Sequence, residues 1–187
     1  LRRSRAVPAA RPRGGGLSRA TGGAAVRALR TLGFDSVGLK WPNDLLAGGR
    51  KLGGILVELA PLRPGMQHVV LGIGVNVSLP SDAVIDQPWC DLAGLAGGEV
   101  AREAVAVGLL DALVPMLARF ETTGLATLLE DWPRFDLLAG QPVRLSAGGQ
   151  VLEGTALGID DSGALRLGMP DGQVRLCHAG EASVRAA

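Results

Sequence analysis

The sequence predicts an α+β chain: a mixed, mainly antiparallel sheet flanked by helices, followed by a small all-β barrel. Three observations point there. Two Leu-rich, β-branched runs, Lys51 to Leu59 and His68 to Val77, are joined by the turn-forming Pro61–Gly65 stretch, which reads as an antiparallel hairpin. Stretches with apolar residues three and four apart lie on either side of that hairpin. Beyond Pro133 the helical pattern gives way to short alternating runs separated by turns.

In chain order, a helix is expected over Leu17 to Leu32, with Leu17, Ala20, Ala24, Ala28 and Leu32 near one face and Gly33 as C-cap. Gly22 and Gly23 weaken it locally but suit close packing against a sheet. Val37 to Lys40 is a short strand that Pro42 ends. After the hairpin, residues 79–98 read as loop. Val100, Ala104, Val107, Leu110, Val114 and Leu117 predict a helix over Glu99 to Phe120, kinked or shortened by Pro115. A shorter helix follows over Leu125 to Trp132. Val143–Leu145, Val151–Leu157, Ala164–Leu167 and Val174–Leu176 are the barrel strands. The expected division is 1–16, 17–138 and 139–187, with the boundary near Gly140.

With 187 residues, 47% of them hydrophobic, the chain holds one full domain and a small one. No apolar run reaches the length of a membrane span, so a soluble, cytoplasmic protein is expected and a membrane partner is not. A net charge of +1 argues against a globally basic nucleic-acid binder. Arg2, Arg3, Arg5, Arg11 and Arg13 crowd the start, as in a basic arm or an organellar leader. Pro8, Pro12 and Gly14 to Gly16 interrupt any amphipathic pattern there, so residues 1–16 are expected to be disordered or aberrant. Cys90, Cys177, His68 and His178 lack metal-ligand spacing, and two separate cysteines suit a reducing compartment.

The chemistry concentrates in Lys40-Trp41-Pro42-Asn43-Asp44 and Gly48-Gly49-Arg50-Lys51-Leu52-Gly53-Gly54-Ile55-Leu56-Val57-Glu58. A Trp-Pro turn presents an amide beside a carboxylate. A lysine opens an otherwise apolar strand, and two glycines let a ligand or a backbone approach it. Lys40 and Lys51 suit an anion, while Asn43 and Asp44 suit hydrogen bonds or a magnesium ion. An Asn-Asp turn with two solvated lysines satisfies the same residues.

The combined string resembles the central signature of the biotin–protein ligases. Gly72-Ile73-Gly74-Val75-Asn76-Val77 resembles the next block of that family, and it is no dinucleotide fingerprint, since it has no third glycine and lies within a strand. The resemblance implies a class II synthetase-like catalytic domain closed by a C-terminal SH3-like barrel. It implies an enzyme that activates biotin with ATP and Mg2+ to biotinyl-5′-AMP and transfers it to a lysine of a biotin carboxyl carrier protein. A homodimer through sheet edges is within the family's range. DNA binding is not expected, as the helix-turn-helix of the repressor-type members has no counterpart here.

Carried over residue by residue, Lys51 matches the lysine on the biotin carboxylate and the α-phosphate. Gly53, Gly54 and Ile55 match the strand against the biotin ring, with Gly72 from the next block. Asn43 and Asp44 match positions near the adenylate, and Asp44 is placed to orient or deprotonate the acceptor lysine. Lys40 fits a phosphate contact, and Asn76 matches an asparagine on adenine. Trp89 resembles an aromatic near the base, while Glu181 and Arg185 fall where the barrel turns charge toward the nucleotide. The family's Gly-Arg-Gly-Arg-x-Gly-Arg loop and its Thr/Ser-rich strand have no match in residues 1–16. The chain is therefore expected to be N-terminally incomplete and weak in turnover. A non-catalytic remnant that binds biotin or adenylate and a lipoate–protein ligase relative are the competing readings.

Overall fold

Alternation along two long strands sets the layout. In β4 (Arg50–Arg63) and β5 (Met66–Val75), the antiparallel pairs Ile55–Ile73, Val57–Leu71 and Leu59–Val69 face one side of the sheet. Gly54–Gly74, Leu56–Gly72 and Glu58–Val70 face the other. The first side carries the core, where Ile55, Val69, Leu71 and Ile73 are buried. The second side is open, with Leu56 59% exposed.

The computed structural model describes residues 2–8, 14–63, 66–80, 82–147, 149–178 and 182–186. With β1 (Arg2–Pro8), β2 (Val37–Lys40) and β3 (Asp44–Ala47), the hairpin forms a five-stranded sheet in the order β1-β5-β4-β3-β2. The sheet was expected to be mixed. All its strand pairs are antiparallel, and parallel pairing is confined to the isolated bridges Leu39–Asp136 and Lys51–Trp89 among the described residues.

Helix α1 (Gly14–Thr31) lies on the core side and is buried almost all round. Its glycines make this approach possible: a Cβ on Gly22 would come 2.8 Å from Leu39 Cδ2, and one on Gly23 would overlap Leu128 Cδ1. Gly33 takes φ +94° just past the end, as a C-cap requires. Leu32, expected on the buried face, is 39% exposed.

Several expectations need correction. Residues 2–8, read as disordered or aberrant, form β1 and pair with β5 from Arg2–Gly72 to Pro8–Met66. The edge of β5 supplies backbone hydrogen-bonding groups that any sequence can satisfy, so β1 needs no apolar signal. Residues 14–16 are the first turn of α1, while Arg11 and Arg13 lie outside the described residues. Within 79–98, read as loop, α2 (Leu92–Ala96) is capped by Asp91, whose Oδ1 accepts from Gly94 N at 2.8 Å.

Helix α3 spans Arg102–Thr123 and buries Val105, Leu109, Leu113, Leu117 and Phe120, leaving Val107 and Val114 exposed. Its sequence is apolar on nearly every side, so periodicity alone chose the wrong stripe. Pro115 does not shorten it, because the Asp111 carbonyl that loses a donor lies on the exposed face. Of the helix expected over Leu125 to Trp132, only α4 (Ala126–Leu129) forms, and a separate α5 (Trp132–Phe135) begins at its last residue with Pro133 in the first turn.

The C-terminal module is a second antiparallel sheet, order β10-β6-β7-β8-β9, built from β6 (Pro142–Ala147), β7 (Gln150–Ile159), β8 (Leu165–Gly168), β9 (Val174–Cys177) and β10 (Ala182–Ala186). Its inner face packs a core of its own around Val143, Leu145, Leu165, Leu167 and Val184. Among the described residues, β9 and β10 remain its edges, without the mutual pairing that would close a barrel.

Candidate active site

The chain has only two lysines among its nineteen Lys and Arg residues, and both converge on one carboxylate. Lys51 Nζ lies 2.7 Å from Asp44 Oδ1, and Lys40 Nζ lies 3.1 Å from Asp44 Oδ2. β2 delivers Lys40, the turn after it delivers Asn43, β3 opens with Asp44 and β4 carries Lys51. All three charged groups are partly buried, so solvent screens them less than a surface pair. A composition that uses arginine almost everywhere else keeps the compact ammonium at these two positions.

Asn43 locks the turn onto β4: its Nδ2 donates to Ile55 O at 2.8 Å, and Ile55 N donates to Asn43 O at 2.8 Å. The Nδ2 bond fixes the Asn43 side chain and leaves its Oδ1 as the one oxygen it could offer a magnesium ion. Each Asp44 oxygen already faces an ammonium group, so Asn43 and Asp44 make a poor magnesium site. Among the described residues, no three His, Cys, Asp or Glu side chains cluster as metal ligands would.

Asp44 is paired with Gly54, and Gly54 with Gly74, in one row across the open face. A Cβ on Gly54 would sit 3.7 Å from Asp44 Oδ1 and 3.9 Å from Lys51 Cε, an ordinary contact. One on Gly72 would meet Leu56 at 3.7 Å, and one on Gly74 would find its nearest neighbour at 4.0 Å. None of the three has a positive φ. The protein itself has room for side chains here, so their absence leaves a flat floor beside Lys51 and Asp44. Gly53 differs, since a Cβ there would overlap the Gly74 carbonyl oxygen. Ile55 points into the core, 2% exposed, and only its backbone can border the floor.

On the other side of the ion pairs lies a cleft of about 910 Å³. Lys40, Asp44 and Lys51 form one wall, Asp86 to Pro88 another, and Gln141 and Val184 of the second module a third. Residues 88–90 run alongside the start of β4: Lys51 N donates to Pro88 O at 2.9 Å, and Cys90 N to Lys51 O at 3.0 Å. Asn76 fastens this segment, its Nδ2 donating to Cys90 O at 3.0 Å and to Lys51 O at 3.4 Å. Burial pushes the Cys90 thiol up, against the pull of Arg50 and the Ala47 hydrogen bond, so it stays protonated. It points at the Ala47 and Arg50 carbonyls.

The structure thus brings together Lys40, Asn43, Asp44, Lys51, Gly54 and Gly72. Trp89 stands next to Lys51 through the backbone bridge. Arg185 lies on β10, its backbone paired with Arg144, but its side chain and all of Glu181 lie outside the described residues. Gly74 was missed as a floor residue, although the Gly72-x-Gly74 alternation was its signal.

Residues 17–76 match the model of the biotin/lipoate A/B protein ligase family, and residues 139–185 that of the biotin protein ligase C terminal domain. The chain is 38% identical over 174 residues to the bifunctional ligase/repressor BirA of Escherichia coli, covering 92% of this chain and 54% of that protein. It is 37% identical over 139 residues to the biotin–[acetyl-CoA-carboxylase] ligase of Paracoccus denitrificans, covering 72% and 58%. The chain therefore spans about half the length of these curated relatives. The fold is similar to that of a biotin protein ligase from Aquifex aeolicus in its apo form, with a TM-score of 0.82 at 22% identity over all of this chain and 82% of that one. The same protein in complex with biotin and ATP aligns with a TM-score of 0.79 at 23% identity, over all of this chain and 78% of that one. By its two matched segments, its relatives and its fold, the chain belongs to the biotin protein ligase family.

Proposed function

We propose that this chain carries the catalytic centre of a biotin–protein ligase. In the first step, the biotin carboxylate attacks the α-phosphorus of ATP, giving biotinyl-5′-AMP and pyrophosphate. In the second, a lysine amine of a biotin carboxyl carrier protein attacks the acyl carbon and AMP leaves. The observation that carries this reading is the Lys51–Asp44 pair poised over the side-chain-free row of Gly54 and Gly74. A flat ring fits the floor, its carboxylate can replace Asp44 on Lys51, and the adjoining cleft suits the nucleotide.

Lys51 then neutralises charge that grows on the α-phosphate as the bond forms, and Lys40 adds a second cation on the same side. Asp44, released from Lys51, is the nearest carboxylate to take the proton of the acceptor amine. Asn76 spends its amide hydrogens on the protein, so a contact with the base would fall to its oxygen. Trp89 and Arg185 remain nucleotide contacts of this proposal. Magnesium enters with the ATP phosphates and not through Asn43 and Asp44.

The match of residues 139–185 to a biotin protein ligase domain favours biotin over lipoate. Among the described residues no helix is long and apolar enough to cross a membrane; a cytoplasmic site of action belongs to this reading. Leu137 N donates to Leu39 O and occupies part of the β2 edge, and a homodimer through sheet edges belongs to this reading.

Biotin-dependent ATP–pyrophosphate exchange tests the assignment. Lys51→Ala should lower exchange by about 100-fold or more, the usual cost of removing one transition-state donor. Lys51→Arg should not restore it, because the planar guanidinium cannot take the place of a point charge at 2.7 Å from Asp44. Comparing variants of one chain makes the result independent of how fast that chain turns over. Exchange that persists in Lys51→Ala would sink the reading.

A further inference from the structure

Trp41 lies in the sequence between the two groups that hold the ion pairs, yet its side chain leaves the site. It is fully buried, and it packs in the core of the second module with Leu138, Val143, Leu165 and Leu167. Its indole Nε1–H donates to Gly163 O at 3.1 Å, a carbonyl in the turn between β7 and β8. The guanidinium of Arg19, from α1, lies over the ring at 5.3 Å from its centroid. Arg19 is itself 3% exposed, and burial pulls it down to about 10, still high enough to stay cationic at neutral pH.

Three elements of different origin therefore grip one residue of the signature. A buried indole needs a partner for its N–H, and the geometry of that partner is controlled in turn. Asp160 Oδ1 accepts from Ser162 N at 2.9 Å, from Ser162 Oγ at 2.7 Å and from Ala164 N at 2.9 Å. Gly163, at φ +83°, turns its carbonyl toward the indole.

Resting on the ligase reading above, we propose that Trp41 is a positioning residue: held by Gly163 and Arg19, it sets Lys40 and the Asn43–Asp44 turn over the cleft. The second module thus acts on the chemistry through a side chain supplied by the first. A small displacement of such groups costs rate out of proportion to its size. A core residue whose role ended at packing would have no such effect.

The chain's two lysines make the test clean, because amine labelling read by mass spectrometry reports on Lys40 and Lys51 separately. Trp41→Phe keeps most of the ring and removes the N–H. Labelling of Lys40 should rise by about fivefold or more, the equivalent of one lost hydrogen bond. In biotin-dependent exchange, kcat should fall by about tenfold while KM for biotin stays unchanged, since the floor on β4 and β5 is untouched. Leu167→Ala weakens the same core away from the turn, and at equal fraction folded it should leave Lys40 protected. Should Trp41→Phe fold poorly, Asp160→Ala loosens only the turn that carries Gly163 and should move Lys40 in the same direction. Equal labelling in Trp41→Phe and Leu167→Ala, or no rise in either Trp41→Phe or Asp160→Ala, overturns the proposal. Protected lysines in a chain that shows no biotin-dependent exchange would count against the ligase reading and leave the positioning role standing.

Discussion

The glycines of β4 and β5 do different work although they stand side by side. Gly53 exists for the protein, because a Cβ there would run into the Gly74 carbonyl oxygen. Gly54 and Gly74 leave space that the protein does not use. Gly53→Ala should therefore lower stability by about 1–3 kcal/mol through forced strand separation. Gly54→Ala and Gly74→Ala should melt close to the parent while affinity for a stable biotinyl-adenylate analogue falls, by about tenfold or more. Thermal melts and calorimetric titration separate the two classes, and a Gly54→Ala protein that binds normally would remove the floor from the site. In the sequence Gly53, Gly54 and Ile55 read as one ligand-facing run. The pleat decides otherwise, since alternate residues face opposite sides, and a bulge between Leu45 and Leu46 sets which ones. Lys51 and Asp44 were legible because a signature of fixed order carries them. Their shared ion pairs were not, since that depends on how β2, β3 and β4 are registered.

Elements in this chain are held by local polar closures as much as by apolar pattern, and the turn between β7 and β8 is the clearest case. Burial tends to raise the Asp160 carboxyl. The hydrogen bonds from Ser162 and Ala164, together with the charge of His178, outweigh it and hold the carboxyl below its usual 3.8. A lowered folded value means that Asp160 contributes stability above the usual carboxylate range and loses it as pH falls through that lower value. Asp136 works in the opposite sense, because burial raises it despite bonds from Leu138 N and Trp132 Nε1. The Asp160 contribution is isolated by comparing melts of the parent and Asp160→Asn from about pH 6 down to about pH 2.5. The parent should lose stability more steeply below about pH 4, and parallel curves would show that the turn does not depend on the charge. The hairpin of β4 and β5 was legible from its alternation. The buried stripe of α3 was not, because Val107 and Val114 are as apolar as the residues that face α1. β1 escaped notice for a different reason: it is recruited by an edge, and its three arginines and one proline carry no strand signal.

At the scale of the molecule, one of the two cores takes a side chain from the other module. The first lies between α1, α3 and the sheet and holds Leu29, Val37, Leu52 and Ile73. The second belongs to the C-terminal sheet, yet its largest side chain, Trp41, comes from the turn after β2. The change of pattern near Gly140 made the two modules visible in sequence. Nothing in a linear reading shows that a residue a hundred positions earlier completes the second of them. This sharing has a thermodynamic consequence. A core completed by a fully buried side chain from the other module should melt together with that module, so calorimetry of the parent should give one transition. Trp41→Ala removes the indole from the second core alone, at a cost of about 3–5 kcal/mol for a truncation of this kind. That loss falls on the C-terminal sheet, which should then melt first and appear as a separate, lower transition. The larger sheet should keep its own melting temperature, because α1 and α3 cover it independently of the indole. A single transition shifted downward as a whole would mean that Leu137 and Leu138, and not Trp41, couple the two modules.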